Sequence, residues 1–538
     1  MDEWTELGGR VVELAAKLVA IPSVVDTDGE AAAADFLSAY LREAAADLPH
    51  VSVRTVDVPK PTACRSVRAH AMPPTETSAA FILLGHLDTV GLEPYDALRH
   101  IACDSAALKA HYASAEAKGA ASPELAAAAA SPDWAFGRGW LDMKGGVAAI
   151  TEVFLREARR RELPAHLLLL LTADEESASR GLRALLPELA KLKRELGLQF
   201  KYVVNADYTA PLSPTDTSRY LYTGTVGKLL VGLSIFGRPT HVGEPFGGLN
   251  AAALAGFLAG ELEHDRKLLS GVGGEWLPPP TVLHVADHRE RYDVMTPEHA
   301  SLYFNAFHVG EPPPKLWRGV VEEVRRLTRR FDRALRLRYN RFSARANVTP
   351  PRHDGRAEVI SYSTLLSRAA KHAGTPPAEL QASIVAELQR EVMDDRECAL
   401  AVVHRLHDML PPARPMVIVT LLPPFYPAWV MPKASPAAAA LQEVCTEGGL
   451  KLRRLYPYIA DMSYFAFGRQ SAAFAAECPL WLSKDELALL EVVAAPVLNL
   501  GPWGVGAHTS EERVYLPYLR DALPRLLSST LHRLSRIV

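Results

Sequence analysis

The stretch HLLLLLTADEES (166–177) decides how the rest of the chain is read. Its five consecutive leucines are far too few to span a bilayer. They are also too continuous for a strand with one wet face. A short, wholly apolar run that ends in polar residues is the pattern of a strand buried on both sides of a sheet. FILLGH (81–86) and YVVNAD (202–207) repeat the pattern. Helical spacing over 146–159 and 182–195 completes the strand–helix alternation of an α/β layer with a largely parallel sheet. Ligands in such layers sit beyond the carboxyl ends of the strands, and there the three runs deliver His86, the pair Glu175–Glu176, and Asp207.

Outward from these runs, apolar residues recur at helical spacing over 6–19 and 30–45, so two helices open the chain. The alanine-rich stretch 105–131 reads as a helical surface insertion with no visible chemistry. After Thr223 the texture changes: KLLVGLSIFG (228–237) is strand-like, PTHVGEPFGGLN (239–250) is rich in turn residues, and a helix follows to 263. PVLNLGPWG (496–504) supplies a last buried strand before GAHTSEE (506–512). The expected organisation is an α/β catalytic domain over 1–222 and 426–538, a mostly parallel mixed sheet sandwiched by helices. An α+β lid domain is inserted over 223–425.

With 538 residues the chain exceeds what one hydrophobic core serves, and 48% apolar residues furnish more than one. A net charge of −3 gives no electrostatic reason for a nucleic-acid or membrane partner, so a small molecule is expected. The segment 318–345 holds ten arginines, but Trp317, Val320, Val321, Val324, Leu327, Phe331 and Leu335 recur at helical spacing, which predicts the solvated face of an amphipathic helix. The five cysteines (Cys64, Cys103, Cys398, Cys445 and Cys478) are odd in number and never in CxxC pairs, as in a cytoplasmic protein with reduced thiols.

The chemistry lies in GHLDTV (85–90), WLDMKGG (140–146), TADEES (172–177), NADY (205–208) and GAHTSEE (506–512). Imidazole and carboxylate suit Zn²⁺, and a two-metal centre needs a carboxylate that bridges ions about 3.5–4 Å apart. Asp142, followed by a tight turn into Gly145–Gly146, is the bridging candidate. His86 and Asp207 complete one ion, and Glu176 and His508 complete the other. Asp88 is placed to hold the second N–H of His86. Glu175 is left as the base that moves a proton from the attacking water to the leaving amine. Neighbours on a strand point to opposite faces, so Glu175 and Glu176 must both sit on the loop past the strand. Taken singly, each patch has a blander reading: a bonded loop pair for His86 and Asp88, an acidic helix start for Glu175–Glu176, a turn cap for Asp207, an exposed loop histidine for His508. Their joint occurrence, each after an apolar run, reverses the odds. His284, His288, His308, His353, His404 and His407 are assigned to surface or core.

This order of motifs resembles the zinc-dependent aminoacylase and glutamate-carboxypeptidase type of metallopeptidases, metallopeptidase family 20. The insertion before FGRGWLDMKGG, the long inserted domain and LLPPFYP (421–427) make the chain most similar to the arginine-utilisation subgroup. The resemblance implies a zinc-exopeptidase-like catalytic domain and the same ligands: His86, Asp142, Glu176, Asp207 and His508, with Glu175 as base and Asp88 behind His86. It further implies a cis peptide at Asp142–Met143 and a lid that dimerises. His241 of GRPTHVGEPFGG would then reach the partner's site to hold the oxyanion. Where the family places a carboxylate-clamping lid arginine, this chain has LYFNAFH (302–308), and LLPPFYP offers none; Arg453 or Arg454 could substitute.

The leading expectation is a two-metal amidohydrolase acting on a small peptide or N-acyl amino acid, in arginine or other amino-acid catabolism. Its ions are zinc, with cobalt or manganese as alternatives, and it is a cytoplasmic homodimer. The rival is a metal-dependent binding or regulatory protein of the same metabolism in which hydrolysis is weak or lost.

Overall fold

The apolar runs form the strands expected of them. In the computed structural model, which describes all residues except 1, 115–121, 290, 311–312, 353–355, 391–392, 412–413 and 468–470, Ala79–His86 and His166–Thr172 are buried from end to end. They lie in an eight-stranded sheet in the order Val51–Asp57, Arg65–Ala71, His166–Thr172, Ala79–His86, Gln199–Asn205, Val497–Asn499, Arg219–Tyr222, Leu450–Arg453. The middle is parallel: Ala79–His86 pairs in parallel with both His166–Thr172 and Gln199–Asn205, and Val497–Asn499 pairs in parallel with Gln199–Asn205. Val51–Asp57 and Arg65–Ala71 form an antiparallel margin. His86 registers opposite Thr172 and Leu84 opposite Asn205, so three chain segments leave the sheet at one end, side by side.

Helices Glu3–Val19, Gly145–Arg160 and Leu523–Ser535 supply much of the core on this sheet, with Leu7, Val11, Val147, Ile150, Val153, Leu527 and Leu531 all buried. The second of them is buried along nearly its whole length, and its first turn shows why two glycines follow Asp142. A Cβ on Gly145 would lie 2.6 Å from the carbonyl oxygen of Trp140, and one on Gly146 would lie 2.0 Å from that of Ala206. Only glycine lets the helix start so close to the segment carrying Asp207.

The chain divides into two units: Met1–Thr225 with Trp429–Phe467 and Ala488–Val538, and Val226–Ala428 with Gly468–Leu487. The last of these segments was assigned by sequence to the catalytic domain (426–538). It groups with the second unit because Glu477 accepts from the backbone and hydroxyl of Ser363, and the Pro479 carbonyl accepts from Gln381. The second unit carries a five-stranded sheet, Thr281–Asp287, His299–His308, Gly227–Phe236, Met416–Tyr426, Glu358–Ser361, antiparallel except for its last pair. Helices Tyr362–Ala373, Pro377–Leu388 and Asp395–Asp408 pack with Phe236, Ile360 and Ile418 into a separate core. The arginine-rich segment is the helix Pro313–Ala346, whose Trp317, Val320, Val324, Leu327 and Phe331 are buried while Arg329, Arg333 and Arg336 are exposed.

The alanine-rich insertion is helical at Ser105–Ala113 and Pro123–Ala130, its middle falling outside the described residues, as does His353. It is less superficial than its composition suggested. Leu108, Tyr112, Leu125 and Ala129 form a small core with Tyr95 and Phe136, and the Tyr112 hydroxyl donates to the Ser510 carbonyl at 2.6 Å, two residues beyond His508. All five cysteines are free thiols. Among the described residues no helix is long and apolar enough to cross a membrane.

Candidate metal centre

The parallel strands bring His86, the loop after Thr172 and the segment after Asn205 to one edge. The turn Trp140–Lys144 and the loop that follows Gly504–Val505 come in beside them. Asp142 stands in the middle: its Oδ1 is 3.1 Å from His86 Nε2 and its Oδ2 is 2.9 Å from His508 Nε2. His508 Nε2 is also 3.2 Å from Glu176 Oε1, and ligand-type atoms of His86, Asp142 and Glu176 all lie within 4.8 Å of one another. The Asp142–Met143 peptide is cis. Asp207, 3% exposed, accepts the amide of Tyr208 at 2.7 Å and is close enough to Asp142 and His86 for their charges to act on it.

Glu175 and Glu176 both lie past the end of their strand. Asp174 adopts φ of 61°, a left-handed turn that breaks the strand's alternation and turns both acids toward the imidazoles. Glu175 Oε2 comes to 4.0 Å from His86 Nε2. Three successive amides hold this turn, each by a buried carboxylate: Asp174 N–H donates to Glu30 at 2.9 Å, and the N–H groups of Glu175 and Glu176 donate to the two oxygens of Asp88 at 3.2 and 3.0 Å. Asp88 thus differs in detail from the sequence expectation. Its carboxylate is 3.8 Å from His86 Nδ1, which bonds instead to the Asp88 backbone carbonyl at 3.1 Å. The tautomer-fixing acceptor is the main chain, and the side chain clamps the loop of the two glutamates.

Behind that loop, Lys60 Nζ lies 2.9, 2.7 and 2.9 Å from Asp26, Glu30 and Asp174. Glu30, Asp174 and the Lys60 side chain are all buried, so one ammonium is shared by a carboxylate cluster under this edge, and Arg180 Nη1 adds a second cation 3.3 Å from Asp174. Lys60 and Glu30 were not singled out from the sequence, where neither belongs to a motif. Nor was Glu512, fully buried at the end of GAHTSEE, although the paired acids there were visible.

The electrostatics of the pocket call for cations. Burial pushes Asp207 up to about 7, with the charge of Asp142 adding, and burial together with Glu30 and Glu176 does the same to Asp88. Glu175 is raised well above the usual range by burial, then by Glu176, Asp461 and Asp207. Burial would raise Asp142 too, but the hydrogen bonds from His508 and His86 hold it well below the usual carboxylate range. His508 is pushed up to about 10 by its bonds to Asp142 and Glu176. Burial works against charge on His86, yet Glu175, Asp142 and Asp88 raise it well above its ordinary value. Mixed imidazole and carboxylate donors, in excess of negative charge, fit divalent ions. His241 belongs to the second unit, where it is exposed and accepts the amide of Gly243 at 3.0 Å.

A parallel α/β layer that gathers two imidazoles and several buried carboxylates beyond its strand ends defines a metal-dependent hydrolase. The sequence bears this out: residues 82–480 match Peptidase family M20/M25/M40, and the chain belongs to that family. Two proteins of Bacillus subtilis (strain 168) are similar over almost their whole lengths. The uncharacterized protein YqjN is 30% identical, with 98% of this chain and 96% of that protein covered. Protein RocB is 28% identical, with 97% and 94% covered. The fold is also that of a tripeptidase from Staphylococcus aureus (15% identity, TM-score 0.53, 98% of this chain and 99% of that one) and of the di-peptidase Dug1p from Saccharomyces cerevisiae (13%, 0.52, 99% of each).

Proposed function

We propose that the protein is a two-metal amidohydrolase that cleaves the amide bond of a small peptide or an N-acyl amino acid. The observation that carries this reading is the placement of Asp142, whose two oxygens face two different imidazoles, His86 and His508. His86, Asp142 and Asp207 would hold one ion, and Asp142, Glu176 and His508 the other, with zinc favoured and cobalt or manganese as alternatives. When bound, such ions supply an activated water and polarise the scissile carbonyl. Glu175, whose Oε2 lies 4.0 Å from His86 Nε2, takes a proton from the attacking water and delivers it to the leaving nitrogen. Asp88 keeps both glutamates in place through their amides.

A peptide-like substrate is supported by the folds of the tripeptidase and di-peptidase. A place in amino-acid catabolism, arginine's included, rests on the resemblance to the arginine-utilisation subgroup and on the likeness to protein RocB. The catalytic and lid domains correspond in this reading to the first and second units. Homodimerisation through the second unit, with His241 supplied to the partner's site, is supported by the strand Thr281–Asp287. It forms one edge of that sheet and leaves Leu283 and Val285 half exposed. Metal analysis with a panel of dipeptides and N-acyl amino acids tests the whole. Turnover with close to two ions per chain is expected. Tight ligand binding without turnover across the panel points instead to a binding or regulatory protein, and a chain that takes up no divalent ion ends the proposal.

A further inference from the structure

The turn carrying Asp142 is wrapped around a carboxylate from the far end of the chain. Glu512 is 0% exposed, and its Oε1 accepts three backbone N–H groups, from Gly139 at 2.8 Å, Leu141 at 3.2 Å and Asp142 at 3.3 Å. Its Oε2 pairs with Arg138 Nη1 at 2.5 Å, and Arg138 is itself buried, over the ring of Tyr95. Main-chain pairing adds to this: Gly137 N–H donates to the Glu512 carbonyl at 3.1 Å, and Arg513 registers opposite Phe136. Successive amides that converge on one point form a concavity for an anion, and here the fold provides the anion itself. Gly139, at φ of 89°, gives the turn a conformation that an L side chain would resist.

Glu512 lies four residues beyond His508 in the same loop. One buried side chain therefore joins the two segments whose metal-facing groups, Asp142 Oδ2 and His508 Nε2, stand 2.9 Å apart. We infer that Glu512 is a positioning residue for the metal pair: by capturing the amides of 139–142 it fixes the rotation of Asp142, so that each carboxylate oxygen meets a different imidazole. Neutralising Arg138 is the lesser part of its work. This rests on the two-metal reading above and adds to it a residue that touches neither ion.

Reach and charge are separable. Glu512→Asp keeps the charge for Arg138 but is one methylene too short to collect the three amides. Glu512→Gln keeps the reach and an accepting oxygen but loses the charge. Zinc titration against a chromophoric chelator, with circular dichroism as the folding control, is expected to show the weaker of the two ions bound about 10- to 100-fold less tightly in E512D. In E512Q binding stays within a few-fold of wild type, even though that variant melts earlier. In the metal-free protein, E512D also loses hydrogen-exchange protection at Gly139, Leu141 and Asp142, and E512Q keeps it. Wild-type affinity for both ions in E512D overturns the inference, as does an equal loss in E512Q, which would assign the effect to the unpaired Arg138. Should E512D fail to fold, the double variant E512A/R138M removes both charges and the acceptor together. Lost affinity in that folded protein supports the inference, and unchanged affinity overturns it. If the wild-type chain takes up no ions, the two-metal reading falls and this inference with it; two ions in the wild type and in E512D alike refute this inference alone.

Discussion

Asp142 Oδ2 and His508 Nε2 lie 2.9 Å apart, joining a turn in the first third of the chain to a loop near its end. The other oxygen of the same carboxylate faces His86. A single side chain thus stands between two imidazoles that no local interaction brings together, and its removal should be felt at both.

Asp142→Ala is expected to reduce bound metal from close to two ions per chain to less than one, measured by elemental analysis after dialysis. His508→Ala, which leaves His86 and Asp142 in contact, should keep one ion. Equal stoichiometry in the two variants would contradict the bridging role of Asp142.

Glu175→Gln should keep both ions while kcat falls by about 10²- to 10⁴-fold, the range for loss of a positioned acid–base group. Steady-state kinetics on whichever substrate the wild type turns over, with metal content measured on the same samples, checks this. Unchanged kcat would remove Glu175 from the proton transfer.

Lys60→Met leaves Glu30 buried without a cation and Asp174 with Arg180 alone. Breaking one side of a buried ion cluster costs about 3–5 kcal/mol, so denaturant unfolding should show a loss of that order. Adding Glu30→Gln should recover part of it. A Lys60→Met protein as stable as the wild type would show that the cluster carries no net stabilisation.

Acid should destabilise the protein partly through His70. Burial, with His166 and Arg68 adding like charge, pushes His70 down to about 4, whereas in the unfolded chain it titrates near its ordinary value of 6.5. Above that value both states are neutral and stability is complete. As pH falls below it, the unfolded chain takes up a proton that the folded one refuses, so stability drops until about pH 4, where the folded imidazole also charges and the loss levels off. Unfolding free energies at pH 7 and pH 4.5 should differ by about 2 kcal/mol from this group. The profile of His70→Phe should be flatter by about one proton. An unchanged slope would place the acid sensitivity elsewhere.

The sequence alone determined the strands and where they end. His166–Thr172 and Ala79–His86 could be read because a run of large apolar side chains has one low-energy place, inside a sheet, and hydrophobic pattern is a local property. The side chains at the carboxyl ends of those strands were legible for the same reason. The turn at Asp142 was visible in its two following glycines.

Only the tertiary structure decided which of those groups meet and through which atoms. The partner of a buried carboxylate is whatever donor the fold brings within hydrogen-bonding distance, and no residue spacing records that. Asp88 therefore proved to hold the amides of Glu175 and Glu176 rather than the ring of His86, and Lys60 emerged under the loop from a stretch with no motif. Glu512, read only as the last letter of a histidine-bearing patch, turned out to be the acceptor around which the Asp142 turn is folded. Apolar burial is encoded along the chain, whereas the pairing of polar groups is settled across it, by close approaches that exist only once the sheet and its helices are packed.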